Sequence, residues 1–381
     1  MPLCFTPNHM LSNDELQRYA RHISLPEVGI EGQSRLRSGS VLVVGAGGLG
    51  SPAALYLAAA GVGRIGLVEF DRLDVSNLQR QILFDTPSVG KPKIEIAARR
   101  LGELNPLIEI VTHELRLTSA NALEVLRPYD VVLDASDNFP TRYLVNDACV
   151  LLGKPNVYGS IFRFVGQASV FHPPNGPCYR CMYAQPPPPG LVPSCEEGGV
   201  LGVVPGLVGV IQAAEAIKLL LGHGEPLIGR MLLIDLMRMS FRELRVPRNP
   251  ECVVCGPNPT VRELVDYEAF CGVRASSDEP EILPRELAGI LARPDAPRLI
   301  DVREAIEWRG GHIAGADLIP LRDLSARLDE IEPGREIVCY CASGARSAHA
   351  AKILRDAGFS PVRNLTGGIR RWAQDGLPVE R

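Results

Sequence analysis

Four of the chain's ten cysteines form two pairs, Cys178-x-x-Cys181 and Cys252-x-x-Cys255, set about 70 residues apart. A two-residue gap lets both thiolates of a pair turn toward one ion. Two such pairs complete a tetrahedral site and leave no position open for substrate. The spacing therefore predicts a structural zinc ion held by Cys178, Cys181, Cys252 and Cys255. The alternative is a pair of disulfides. The chain opens MPLCFTPNHM, however, without the basic, then apolar, then small-residue order of a secretory leader, so reduced thiols in a cytoplasmic protein are expected.

A second constellation is GAGGLG at Gly45 to Gly50, directly after the apolar run Val41 to Val44. Glycines there let backbone amides and the next helix's N-terminus approach a phosphate. Glu69 ends the following apolar run about 20 residues on, where a carboxylate can take ribose hydroxyls, so a nicotinamide oxidoreductase with a redox-active tail is one reading. Downstream stand SNLQRQ (Ser76 to Gln81), GKPK (Gly90 to Lys93) and SDN (Ser136 to Asn138). Polar and cationic groups at strand ends suit a triphosphate with magnesium better than a dinucleotide.

The elements that must position these residues alternate. Residues 12–37 read as helical, with Ser12 or Asn13 as N-cap and a turn near Gly29 to Gly32. Strands are expected at 41–44, 65–68, 108–112, 130–134, 156–161 and 167–171, with helices at 51–60, 91–104 and 140–152 between them. Such alternation implies α/β architecture with a doubly wound, mainly parallel, Rossmann-like sheet. A proline run at Pro186 to Pro189 marks a loop, and Gly206 to Leu221 reads as a helix with Gln212, Glu215 and Lys218 on its wet face. An antiparallel strand pair is expected at 232–236 and 241–246. Residues 257–281 make the best linker, placing one domain at 1–256 and a smaller α/β domain at 282–381.

The net charge of -4 and the absence of a basic block with interleaved aromatics argue against a nucleic-acid partner. The longest uncharged apolar stretch, 198–211, is too short to span a bilayer and contains Pro205, so no membrane partner is expected.

Over residues 11–256, the motifs RYARH, GAGGLG, SNLQRQ, GKPK, SDN, CYRC and CVVCG resemble, in order, those of the molybdopterin-synthase and thiamine-pathway adenylyltransferases (the MoeB/ThiF type), bacterial relatives of ubiquitin-activating enzymes. The resemblance implies that ATP activates the C-terminal glycine of a ubiquitin-like sulfur-carrier protein ending in Gly-Gly. It assigns the nucleotide to Gly48, Glu69, Ser76, Asn77, Leu78, Gln79, Arg80, Lys93, Asp137 and Asn138, with Asp137 on magnesium. Glu69 stands where the family usually has Asp. Arg21 matches an arginine that reaches the partner subunit's nucleotide, which implies a homodimer. Cys195, in VPSCEEGGV, matches a cysteine assigned to a covalent intermediate.

Residues 280–381 carry DVR at 301–303, GGHIAGA at 310–316, CASGARS at 341–347 and NLTGGIRRW at 364–372, and resemble a single-domain rhodanese. Cys341 would then open a loop whose amides, with the N-terminus of the helix beginning near Ser347, favour a thiolate or persulfide. Four residues separate Cys341 from Arg346, where a cysteine phosphatase loop has five, so sulfane sulfur fits better than phosphate. Relatives often carry a basic residue after this cysteine, whereas here Ala342 follows. Asp301, Arg303, His312 and Trp372 read as structural supports. The whole chain thus reads as a fused adenylyltransferase and sulfurtransferase fed by a persulfide donor such as a cysteine desulfurase or thiosulfate. A non-catalytic scaffold for ubiquitin-like proteins is the remaining alternative.

Overall fold

The computed structural model describes residues 11–173, 175–187, 199–272, 280–293 and 296–380. They form two compact units, with Tyr267 in the first and Glu268 in the second.

The first unit is built on an eight-stranded sheet. Its parallel part comprises β1 (Ser40–Val44), β2 (Arg64–Val68), β3 (Glu109–His113), β4 (Val131–Asp134) and β5 (Asn156–Phe162). The strands β6 (Val165–Phe171), β7 (Arg230–Asp235) and β8 (Ser240–Arg245) extend it antiparallel, in the order β3-β2-β1-β4-β5-β6-β7-β8. Val41, Val43, Ile65, Leu67, Val131 and Leu133 lie in one buried cluster, which explains why these strands read as unbroken apolar runs. The chain order reverses between β1 and β4. In open α/β sheets that reversal opens a ligand crevice at the strands' carboxyl ends. The loops after β1, β2 and β4, carrying Gly45 to Gly50, Glu69 and Ser136 to Asn138, all end there.

Three expectations need correction. The N-terminal helical stretch is broken into Asn13–Arg18, Ala20–Ile23 and Gly29–Ser38. Leu25 precedes Pro26, whose ring disfavours helical backbone at the residue before it; the turn falls at 24–28, and Gly29 to Gly32 opens a helix instead. The Ser12 cap is present, with a reciprocal hydrogen bond to Glu15. Gln212 and Glu215 are buried, not on a wet face. Gln212 Nε2 donates to the Asp134 and Val157 carbonyls at 2.7 and 3.0 Å, and Glu215 accepts from Leu227 N at 2.8 Å and pairs with Lys218 at 2.6 Å. Their helix, Val203–Leu221, is long and apolar enough by length and composition to cross a bilayer. It is nonetheless a core helix, with Val208, Ala213 and Ala216 in the cluster beneath the sheet. Lastly, the first unit does not stop at 256, because Tyr267 is buried and its hydroxyl donates to Asp147 Oδ2 at 2.7 Å.

The second unit holds a five-stranded parallel sheet of β9 (Glu281–Ile282), β10 (Arg298–Asp301), β11 (Ala316–Leu318), β12 (Ile337–Tyr340) and β13 (Val362–Leu365), ordered β11-β10-β12-β13-β9. Ile300, Ile337 and Cys339 pack on one face, while Leu299, Val338 and Tyr340 pack on the other. Both faces are therefore covered. Between β11 and β12 the chain forms two short helical pieces, Leu321–Leu324 and the 3₁₀ turn Leu328–Glu330.

Candidate functional site

The nucleotide cradle begins at Gly45, whose φ of +94° and close neighbour are both permitted only without a side chain. A methyl group there would lie 3.1 Å from the Ala135 carbonyl oxygen, so the glycine loop rests directly against the end of β4. The loop opens the helix Gly50–Ala60, whose first-turn amides face the crevice end of the sheet. Glu69 is buried at the loop's foot, where its carboxylate accepts from Ala46 N at 3.1 Å, Phe70 N at 2.9 Å and Asp71 N at 3.0 Å. A carboxylate fixed by three amides stands at a defined height beside the loop.

SNLQRQ closes one wall. Asp74 caps the 3₁₀ turn Val75–Asn77 by accepting from Ser76 N at 2.8 Å, and Asn77 answers by accepting from Asp74 N at 3.2 Å. Leu78 packs on the core, Gln79 is exposed, and Arg80 Nη1 donates to the Ser76 carbonyl at 3.0 Å. A methyl group at Gly48 would sit 3.5 Å from Arg80 Cδ, so the arginine and the glycine loop are neighbours. Lys93, the N1 residue of the helix Lys93–Leu104, is buried with its Nζ 3.4 Å from Asp71 Oδ2. Asp137 is exposed at the end of β4, and Asn138 caps the next helix by accepting from Thr141 N at 2.9 Å. Gly48, Glu69, Arg80 and Lys93 are thus linked through contacts around the crevice, with Asp137 at its β4 side. Arg21 is exposed on the helix Ala20–Ile23, away from these contacts. Cys195 lies outside the described residues. One residue the sequence did not single out is Asp134, wholly buried beneath Ser136, which donates to it from both N and Oγ at 3.0 and 2.6 Å. Burial pushes its carboxyl above the ordinary aspartate range.

The four predicted metal ligands converge. Their sulfurs lie within 4.8 Å of one another, with Cys178–Cys181 at 3.9 Å, Cys178–Cys252 at 3.5 Å and Cys181–Cys255 at 3.3 Å. A tetrahedron of zinc–sulfur bonds about 2.3 Å long has edges of about 3.8 Å, so the cluster has the size of a closed ZnS₄ site. Hydrogen bonds from the other three thiols, that of Cys178 first, push the Cys252 thiol down. The knuckle is anchored from within: Arg180, between its two cysteines, clasps buried Asp147 at 2.7 to 3.1 Å, and Tyr179 N donates to Asn146 at 2.7 Å. Asn146 and Asp147 belong to the helix Phe139–Leu152 that Asn138 caps.

In the second unit, Cys341 directly follows β12 and is fully buried, and Gly344 N and Ser347 Oγ approach its sulfur at 3.1 and 3.5 Å. Gly344, at φ +100°, turns the chain into the helix Ala345–Asp356, aiming that helix's N-terminus at the sulfur. Arg346 is held by both oxygens of Glu307 at 2.8 Å. Burial pushes the Glu307 carboxyl up, but the Arg346 hydrogen bond and the Glu304 amide outweigh it and hold the group below its ordinary range. Asp301 and Arg303 form a buried bidentate pair, His312 stacks on Trp308 at 3.8 Å, and Trp372 Nε1 donates to Pro378. All four thus make contacts within the second unit. Glu307 was missed because its partner lies 39 residues away and no local pattern connects them.

Comparison with known proteins agrees with this division. The ThiF family profile matches residues 19–254 and the rhodanese-like domain profile residues 283–375. A sulfur carrier protein adenylyltransferase of Thermus thermophilus is 62% identical, covering 69% of this chain and 99% of its own length. The probable adenylyltransferase/sulfurtransferase MoeZ of Mycobacterium tuberculosis is 48% identical, covering 99% of this chain and 98% of its own. Among solved structures, E. coli MccB with ATP shares the fold of the first unit, with a TM-score of 0.57 at 24% identity over 65% of this chain and 75% of that one.

Proposed function

Since the chain belongs to the ThiF family and carries a rhodanese-like domain after it, we propose that it uses ATP to activate the C-terminal glycine of a ubiquitin-like sulfur-carrier protein and then converts that glycine to a thiocarboxylate. It is an adenylyltransferase joined to a sulfurtransferase. The observation that carries the reading is one chain holding both a phosphate cradle at the sheet's reversal point and a buried cysteine under a helix N-terminus, with relatives so named along nearly its whole length. The nicotinamide and scaffold alternatives are left without support.

Magnesium ATP is the first substrate. Lys93 and Arg80 neutralise phosphate charge, Asp137 meets the magnesium, Gly48 and Asn77 position the phosphates, and Glu69 takes the ribose. A carboxylate oxygen of the carrier's terminal glycine attacks the α-phosphorus, and pyrophosphate leaves. The outer sulfur of a Cys341 persulfide then attacks the acyl carbon, AMP leaves, and an acyl disulfide remains on Cys341. Attack of the Cys195 thiolate on the Cys341 sulfur releases the thiocarboxylate and forms a Cys195–Cys341 disulfide, which an external thiol reduces. In the other order, Cys195 first displaces AMP as a thioester. Cys178, Cys181, Cys252 and Cys255 hold a zinc ion outside the chemistry. Arg21 completes the cradle of a second copy in a homodimer, and the persulfide comes from a cysteine desulfurase or thiosulfate in the cytoplasm.

Carrier-dependent exchange of pyrophosphate into ATP tests the assignment. It should require magnesium and fall on the order of 10²- to 10³-fold in both Lys93→Ala and Asp137→Ala. Full-rate exchange in both variants overturns the site. Tight binding of NAD by calorimetry, indifferent to ATP, would restore the oxidoreductase reading.

A further inference from the structure

The cradle's three walls come from distant parts of the chain, and one helix outside all of them touches each. Gly202 caps the helix Val203–Leu221, and a methyl group on it would lie 2.2 Å from the Gln79 carbonyl oxygen, in the SNLQRQ wall. Pro205 lies 3.1 Å from where a Gly48 side chain would begin, in the glycine loop. A methyl group on Gly209 would lie 2.3 Å from the Leu49 carbonyl oxygen and 2.7 Å from Pro52 Cγ, at the end of that loop. Gln212 Nε2 donates to the Asp134 carbonyl at the end of β4, two residues before Ser136, and to the Val157 carbonyl on β5. Positions 202, 205, 209 and 212 are spaced by three, four and three, which on a helix confines them to an arc of about 80°. That single face therefore meets all three walls.

We propose that this helix face is the positioning element of the adenylation site: Gly202 and Gly209 set its distance from the phosphate-binding backbone, and Gln212 fixes β4 so that Asp137 is presented at the right height. The inference rests on the adenylation reading. These residues act through the walls they touch. Their close approaches show why glycine is required twice. An added Cβ under 3.0 Å from a backbone oxygen has no flexible side chain to push aside, so the glycine loop or the Gln79 turn must move. Gly159 on β5 completes the fit, since a methyl group there would strike the Gln212 amide at 2.5 Å.

The full chain should be compared with its Gly209→Ala and Gln212→Leu variants in carrier-dependent pyrophosphate exchange, measuring KM for ATP, KM for the carrier and kcat separately. Displacing a reactive backbone by about an ångström can cost on the order of 10²-fold, and we expect most of that in Gly209→Ala as a raised KM for ATP. Gln212→Leu should raise it roughly 10-fold and Gln212→Glu more, because a carboxylate then faces two carbonyl oxygens. KM for the carrier and thiosulfate-to-cyanide transfer by the same preparations should stay within about twofold. A helix with only a scaffolding role would lower yield, melting temperature or kcat and leave KM for ATP where it was. An unchanged KM for ATP in Gln212→Leu and Gly209→Ala, measured beside an active parent, overturns the proposal. If Gly209→Ala does not fold, Gln212→Leu and Gln212→Glu decide it. A parent chain that exchanges no pyrophosphate sinks the adenylation reading itself, a result visible before any variant is made.

Discussion

The two reactive centres are built in opposite ways. The nucleotide cradle gathers Gly48, Glu69, Arg80, Lys93 and Asp137 from three crossovers of an eight-stranded sheet, whereas the Cys341 centre is one four-residue turn, Cys341 to Gly344, between β12 and the helix Ala345–Asp356. A dispersed site depends on everything that holds the walls in register, including a helix that contributes no ligand. A local site needs only its own strand, glycine and helix. The first should be fragile to distant change and the second almost indifferent to it.

Removing the metal is the severest test of that contrast. The four-cysteine cluster should hold one zinc per chain, by metal analysis of anaerobically purified protein, and its loss should forfeit on the order of 10 kcal/mol of local stability. Because Arg180 ties the knuckle to Asp147, in the helix that begins beside Asp137, pyrophosphate exchange should collapse while thiosulfate-to-cyanide transfer persists. A Cys252→Ser chain with a normal melting curve and normal exchange would break the comparison. Cys341→Ala makes the converse cut. It should abolish thiosulfate-to-cyanide transfer, a loss beyond roughly 10³-fold, and leave carrier adenylation intact. Thiocarboxylate formed at an undiminished rate by that variant, with a persulfide donor and no free sulfide, would show that the second unit is not the sulfur source.

The smallest effect is one of sign. Glu307 has its carboxyl lowered in the folded state, so its contribution to stability is present above the ordinary glutamate range and fades as pH falls through the lowered value. Asp134 has its carboxyl raised, so its protonated form favours the fold at low pH, and that contribution is lost as pH rises through the raised value. Melting curves from about pH 3 to 7 should therefore show Glu307→Gln flattening the acid limb of the second unit. Asp134→Asn should flatten a slope of the opposite hand in the first. Equal slopes in both variants would contradict the assignments.

Much of this was legible in the chain alone, and the omissions follow one rule. Buried parallel strands announced themselves as apolar runs, and the cysteine and glycine spacings located the metal cluster and the cradle because each is a local geometric requirement. Gln212 and Glu215 were misread because polar residues on an apolar helix ordinarily face water. Only the β4 and β5 carbonyls and the Leu227 amide, distant in sequence, explain their burial. Tyr267 was missed for the same reason, its partner Asp147 lying 120 residues back. The two-residue β9 and three-residue β11 are too short to carry a period.

The metal cluster has a further consequence for a chain that handles sulfane sulfur. Four thiols within 4.8 Å are an efficient sink: one would accept the outer sulfur of a persulfide, and its neighbour would close a disulfide and expel that sulfur as hydrogen sulfide. Zinc coordination would occupy the lone pairs such a reaction needs. The ion would then act as a protecting group, reserving the chain's sulfur traffic for Cys341.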